Sequence, residues 1–86
     1  MNHTDASELE EQQAVVDDLD RAIAALVQQR SAAARQLGKL RGARGVPRSE
    51  LARENGTLLH YRTELGPLGN RLGLLLLEMA RDASRE

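Results

Sequence analysis

Apolar residues recur at helical spacing through the first half of the chain. Val16, Leu19, Ile23, Leu26, Ala33, Leu37 and Leu40 follow one another by three, four, three, seven, four and three residues. At 3.6 residues per turn such steps place all seven on one face of an α-helix. The position skipped in the step of seven is Arg30. A cation there must reach solvent or meet an anion, because a buried unpaired charge costs on the order of several kcal/mol. Arg41 lies eleven residues further on, about three full turns, so it leaves the helix on nearly the same side.

The same pattern divides the chain into elements. Ser7 followed by Glu10 has the form of a capping box, which starts the first helix near Glu8. Gly38 weakens it without ending it, and the first strong stop is Gly42 with Gly45. That gives roughly 34 residues and a rod of about 50 Å, whereas a compact globule of this length is about 30 Å across. Such a helix outruns its own domain, and a second copy of the chain is the economical cover for it. Gly42 to Val46 reads as a turn, and Pro47 suits an early position of a second helix, where its missing N–H costs nothing. Leu51, Leu58 and Leu59 give that helix a narrow apolar side, and Gly66-Pro67 breaks the chain again. Leu68, Leu72, Leu75, Leu76 and Met79 then form the dry face of a third helix running to about Ala83. No alternation of period two occurs anywhere. The expected fold is all-α, with one long and two shorter helices in a single domain over 1–86, and residues 1–7 as a flexible lead.

Composition sharpens this picture. Tyr61 is the sole aromatic residue, so the core must be aliphatic, and a chain of 86 residues buries only a modest share of its surface alone. With no cysteine there are no disulfides and no thiolate sites, which fits a reducing compartment. No run approaches the ~18 apolar residues of a membrane span, and MNHTDASELEE is too acidic for a signal peptide. A soluble cytoplasmic protein with no membrane partner is expected. The formal charge is −1, but residues 1–29 carry seven acids against Arg21 alone, and residues 30–53 seven bases against Glu50 alone. The bases fall in a patterned helix and the turn after it, and no aromatic residues interleave with them to stack on nucleic-acid bases. A small polyanion suits them better than a nucleic acid.

The usual catalytic groups are missing. His3 and His60 are isolated from any second ligand or nucleophile, no His, Cys and Glu set has metal spacing, and no glycine motif cradles phosphate. No metal and no cofactor are expected. What remains is Arg30, Arg41 and the set Glu50, Arg53 and Glu54, which shares one helical face by the i, i+3, i+4 rule. On spacing alone that set also reads as a solvated salt-bridge cluster, and Arg30 as a polar residue that fixes the register of a coiled coil.

The run LDRAIAALVQQRSAAARQLGKLR, then VPRSELARE, then YRTELGPLG and the leucine-rich third helix, resembles the all-helical chorismate mutases, most closely their short actinobacterial subclass. The resemblance covers about residues 9 to 82. It implies an intertwined homodimer whose long first helices span both subunits, acting on a small dianion by converting chorismate to prephenate. It further implies that Arg30 and Arg53 bind the substrate carboxylates and that Arg41 stands beside the ether oxygen as the main transition-state stabiliser. Glu54 would hold the ring hydroxyl, with Glu50 a second acid on that side.

Two positions depart from the family pattern. Where its members reach across from the partner's first helix with an arginine, this chain has Gln13, which can donate a hydrogen bond but carries no charge. Where the best-known members place a glutamine near the end of the third helix, this chain has Ser84 and its neighbours. The short actinobacterial members are similar to weak mutases boosted by the synthase that opens the shikimate pathway, but the Arg/Gly-rich tail serving that contact is replaced by ARDASRE.

Several functions therefore compete: a chorismate mutase; a mutase for 4-amino-4-deoxychorismate, whose ammonium would favour Glu50 and Glu54; and a helical dimer of weak or no activity that regulates, or is activated by, a partner enzyme. Isochorismate pyruvate lyase shares the fold but does not normally carry the Arg-Glu pair of the second helix.

Overall fold

A computed structural model describes residues 3–44 and 50–84, with side chains over 6–43 and 51–82. Within them lie three helices, α1 (His3–Arg44), α2 (Glu50–Leu65) and α3 (Pro67–Ser84), and no strand.

Helix α1 is longer than the sequence pattern suggests. It begins at His3, ahead of Glu8, so Ser7 and Glu10 lie inside the helix and form no N-terminal cap. At the other end it passes through Gly42 to Arg44. A single glycine costs a helix only about 1 kcal/mol against alanine, and good helix formers on both sides outweigh it. Val46 and Pro47, in the expected turn and helix start, lie outside the described residues.

The joint between α2 and α3 is one residue, Gly66, with φ of 85°. Its N–H donates to the Arg62 carbonyl at 2.8 Å, closing α2, and its own carbonyl accepts from Gly69 N at 2.9 Å, opening α3. Only glycine takes this left-handed conformation without a steric penalty, and Pro67 is preset for the first helical position that follows.

Two further glycines bring the halves of this hairpin together. A Cβ on Gly69 would lie 2.1 Å from the Tyr61 carbonyl oxygen, and one on Gly73 would lie 2.9 Å from Leu58 Cδ2. The helices thus approach at backbone distance, and the buried stripe of α3 is Gly69, Gly73 and Leu76, with Leu77 and Ala80 half-buried. The dry face expected from the leucines is mostly open: Leu68, Leu72, Leu75 and Met79 are all exposed, and only Leu76 of that set is buried. On α2, Leu58 is half-buried against α3 while Leu51 and Leu59 are exposed.

Helix α3 also packs against α1, whereas among the described residues no Cα of α1 comes within 8 Å of one in α2. Apart from Ala6 near its start, the half-covered positions of α1 are Val27, Arg30, Ser31, Ala34, Arg35 and Arg41, all in its second half. From Ser7 to Leu26 every residue is exposed. The molecule measures 65 × 27 × 16 Å with a radius of gyration of 18.1 Å, against about 12 Å for a compact chain of this length. Its accessible surface is 7052 Å², where a compact monomer of this mass exposes about 5,000 Å². No helix among the described residues is long and apolar enough to cross a membrane.

Candidate active site

The cation in the apolar seam occupies an unexpected position. Arg30 is half-buried, while Val16, Leu19, Ile23, Leu26, Leu37 and Leu40 around it are exposed. The helical repeat accounts for this. At about 100° per residue, α3 covers a stripe centred some 80° away from the leucine seam, and Arg30 and Arg41 fall on the border between the two, about 20° apart. Both arginines are half-buried, at the edge of the covered stripe where it meets the exposed seam. Along the axis they are about 16 Å apart, so long side chains leaning toward each other would leave room for a small anion. Among the described residues, no hydrogen bond or ion pair engages the side chain of either.

Arg53 and Glu54 are neighbours on α2, both half-buried. Thr57 hydroxyl donates to the Arg53 carbonyl at 3.2 Å, and the Arg53 residue is itself held by a further interaction. Arg81, in the last turn of α3, donates through Nη2 to Glu54 Oε2 across the hairpin. The Glu54 side chain is 24% exposed and that of Arg81 59%, so the carboxylate is the more enclosed partner. Arg81 was not singled out by residue patterns. The antiparallel register that puts Tyr61 against Gly69 and Leu58 against Gly73 carries α2 back toward Glu54 as α3 runs on toward Arg81, and that register depends on glycines whose role is visible only once the hairpin is folded.

The remaining expected residues are not gathered here. Gln13 is exposed in the uncovered half of α1, its amide donating to Asp17 Oδ1 at 2.9 Å one turn along. Glu50 opens α2 and Ser84 closes α3, with their side chains outside the described set. His60 is exposed, its ring edge-on to Tyr61 with centroids 5.1 Å apart. No group of carboxylates and histidines suited to a metal occurs among the described residues.

The arrangement can bind and polarise an anion. Two half-buried arginines on α1 and the neighbours Arg53 and Glu54 on α2 belong to helices that both pack against α3.

The chain is similar to several known proteins. The chain is 35% identical over 74 residues to the intracellular chorismate mutase of Mycolicibacterium smegmatis, a match covering 86% of this chain and 71% of that protein. It is 41% identical over 66 residues to the intracellular chorismate mutases of Mycobacterium bovis and Mycobacterium tuberculosis, covering 77% of this chain. Against those two it spans 62% of their length. No family model matches, and neither does any solved structure. With 35% identity over 74 residues that span 71% of the M. smegmatis protein, the chain belongs to the intracellular chorismate mutase family.

Proposed function

We propose that the protein is a chorismate mutase, an isomerase that converts chorismate to prephenate in the cytoplasm, and that it works as an intertwined homodimer. In this Claisen rearrangement an ether C–O bond breaks as a C–C bond forms within one molecule, so the atoms balance with no nucleophile, metal, cofactor or proton carrier. A catalyst has two tasks: to hold a flexible dianion in a compact chair, and to stabilise the negative charge that grows on the ether oxygen. The observation that carries the reading is the pair Arg30 and Arg41, half-buried, close in angle on α1 and unpaired within the described chain, in a member of this family.

The roles follow from that placement together with the family resemblance. Arg30 and Arg53 grip the substrate carboxylates through charge-assisted hydrogen bonds. Arg41 faces the ether oxygen, Glu54 accepts from the ring hydroxyl, and Glu50 and Ser84 flank the substrate from the starts and ends of their helices. Gln13 of a second protomer closes the seam side. The dimer is supported by the surface excess of about 2,000 Å² per protomer, or about 4,000 Å² for a pair, which lies in the range of obligate homodimers.

Incubating the pure protein with chorismate, isochorismate and 4-amino-4-deoxychorismate, and following substrate loss and products, tests the reading. Prephenate should form from chorismate. Absence of turnover together with failure to bind a bicyclic transition-state mimic would sink it.

A second reading concerns rate. Gln13 carries no charge and its amide is engaged by Asp17, so the corner it closes lacks a cation. A dimer of this kind would be a weak catalyst alone and would gain rate on association with the synthase that opens the shikimate pathway. A chorismate assay with and without that synthase separates the two, an unchanged rate counting against the partner.

A further inference from the structure

Arg81 has no part in the reading above, yet it reaches the carboxylate assigned to the ring hydroxyl. We infer that Arg81 is a specificity-determining positioning residue: by pairing with Glu54 it makes this end of the site accept a neutral hydroxyl and reject an ammonium. The inference rests on the proposed role of Glu54 and decides between two substrates that role leaves open.

The argument is one of charge and of unused acceptor sites. A carboxylate has two oxygens and about four acceptor positions. Arg81 Nη2 takes one position on Oε2, which orients the group and leaves Oε1 to accept from a ligand. A hydroxyl supplies one such bond and brings no charge. An ammonium in the same place would bring a second cation beside a carboxylate already balanced by a guanidinium, and like charges held together select against the wrong ligand. Glu54 is three-quarters covered, so water does little to relieve that repulsion on the carboxylate side. Arg81 is 59% exposed, so solvent screens its share and holds the discrimination to about tenfold rather than thousands.

The pairing also distinguishes Arg81 from the other cations near the site. Arg30 and Arg41 come from α1, and among the described residues no hydrogen bond or ion pair engages their guanidiniums, which suits them to carboxylates of the substrate. Arg81 comes from the far end of α3, acts through Glu54, and need touch no substrate atom.

The test compares kcat/KM for chorismate and for 4-amino-4-deoxychorismate in the full-length protein and in Arg81→Gln and Arg81→Lys, with dimer mass and helical content measured as controls. The wild type should favour chorismate. Arg81→Gln should move the ratio toward the amino substrate about tenfold, through a lower KM for that substrate, whereas Arg81→Lys, which keeps the charge, should hold the ratio near the wild type. A ratio unchanged in Arg81→Gln, whether or not both rates fall, would overturn the inference and leave the mutase reading intact, because a merely structural pair affects both substrates alike. A wild type that prefers the amino substrate would overturn it as well. A wild type inert toward both, and unable to bind the bicyclic mimic, would remove the mutase reading and the inference with it.

Discussion

The first half of α1 and the α2–α3 hairpin are both helical and both rich in large aliphatic side chains, but they stand in opposite relation to the rest of the chain. From Ser7 to Leu26 no residue is covered, and Leu9, Val16, Leu19, Ile23 and Leu26 all face solvent. In the hairpin the helices meet at backbone distance through Gly69 and Gly73, and Leu76 is only 4% exposed. The difference shows what closes a contact inside so short a chain. Small residues that let two backbones approach do it here, while most of the leucines remain outside as surface for something else. Patches of this extent on a small protein mark an interaction surface. The border between the two regimes runs along the second half of α1, and Arg30 and Arg41 lie on it.

The contrast can be broken at its open end. Ile23→Asp would place a carboxylate in each copy of the seam, and taking those charges out of water should weaken association by about a thousandfold or more. Sedimentation at micromolar concentration should then show a monomer with reduced helicity, and an unchanged dimer would mean that the seam is not the interface. On the border, Arg41→Ala should lower kcat/KM by about a hundred- to a thousandfold, in keeping with loss of one preorganised donor to a developing oxyanion. Dimer mass and thermal unfolding should stay as they were; a fall in both would assign Arg41 to the fold.

At the closed end, Gly69→Ala drives a methyl group into the Tyr61 carbonyl. Backbone cannot swing aside as a side chain can, so the helices must part. After the helix-propensity gain of alanine, a net loss of about 2 kcal/mol is expected, read as a fall in melting temperature of roughly 10 °C. Gly73→Ala should cost less, since the atom it meets is the end of the Leu58 side chain. The smallest effect returns to the open half: Gln13→Arg should raise chorismate turnover about tenfold if a missing cation limits the site, by supplying a charge-assisted hydrogen bond. An equal or lower rate would place the limit elsewhere.

Periodicity and breakers were enough to read three helices, the Gly66-Pro67 joint and the misfit of Arg30, because each is a local property of a few neighbouring residues. The length of α1 was only partly legible. Ser7 and Glu10 have the form of a cap and Gly42 that of a stop, but both signals are worth about 1 kcal/mol and yield to the helix formers around them. The choice of covered face was not legible. Leu68, Leu72, Leu75 and Met79 mark an apolar side of α3 correctly, yet hydrophobicity does not say whether that side meets the same chain or another. Gly69 and Gly73 carry no hydrophobic signal at all. The proposed site follows the same rule: Arg30, Arg41, Arg53 and Glu54 stand out by spacing and family resemblance, whereas the pairing of Arg81 with Glu54 depends on the register of a hairpin set by those two glycines.

The bare first half of α1 has a consequence for handling the protein. If most of its apolar area is covered only on pairing, folding and pairing are one equilibrium, and the melting temperature must climb with protein concentration by mass action. Specific activity would then fall on dilution rather than stay constant. A stock measured at high concentration and an assay run at nanomolar enzyme would report on two different populations, the second partly unfolded before any substrate is added.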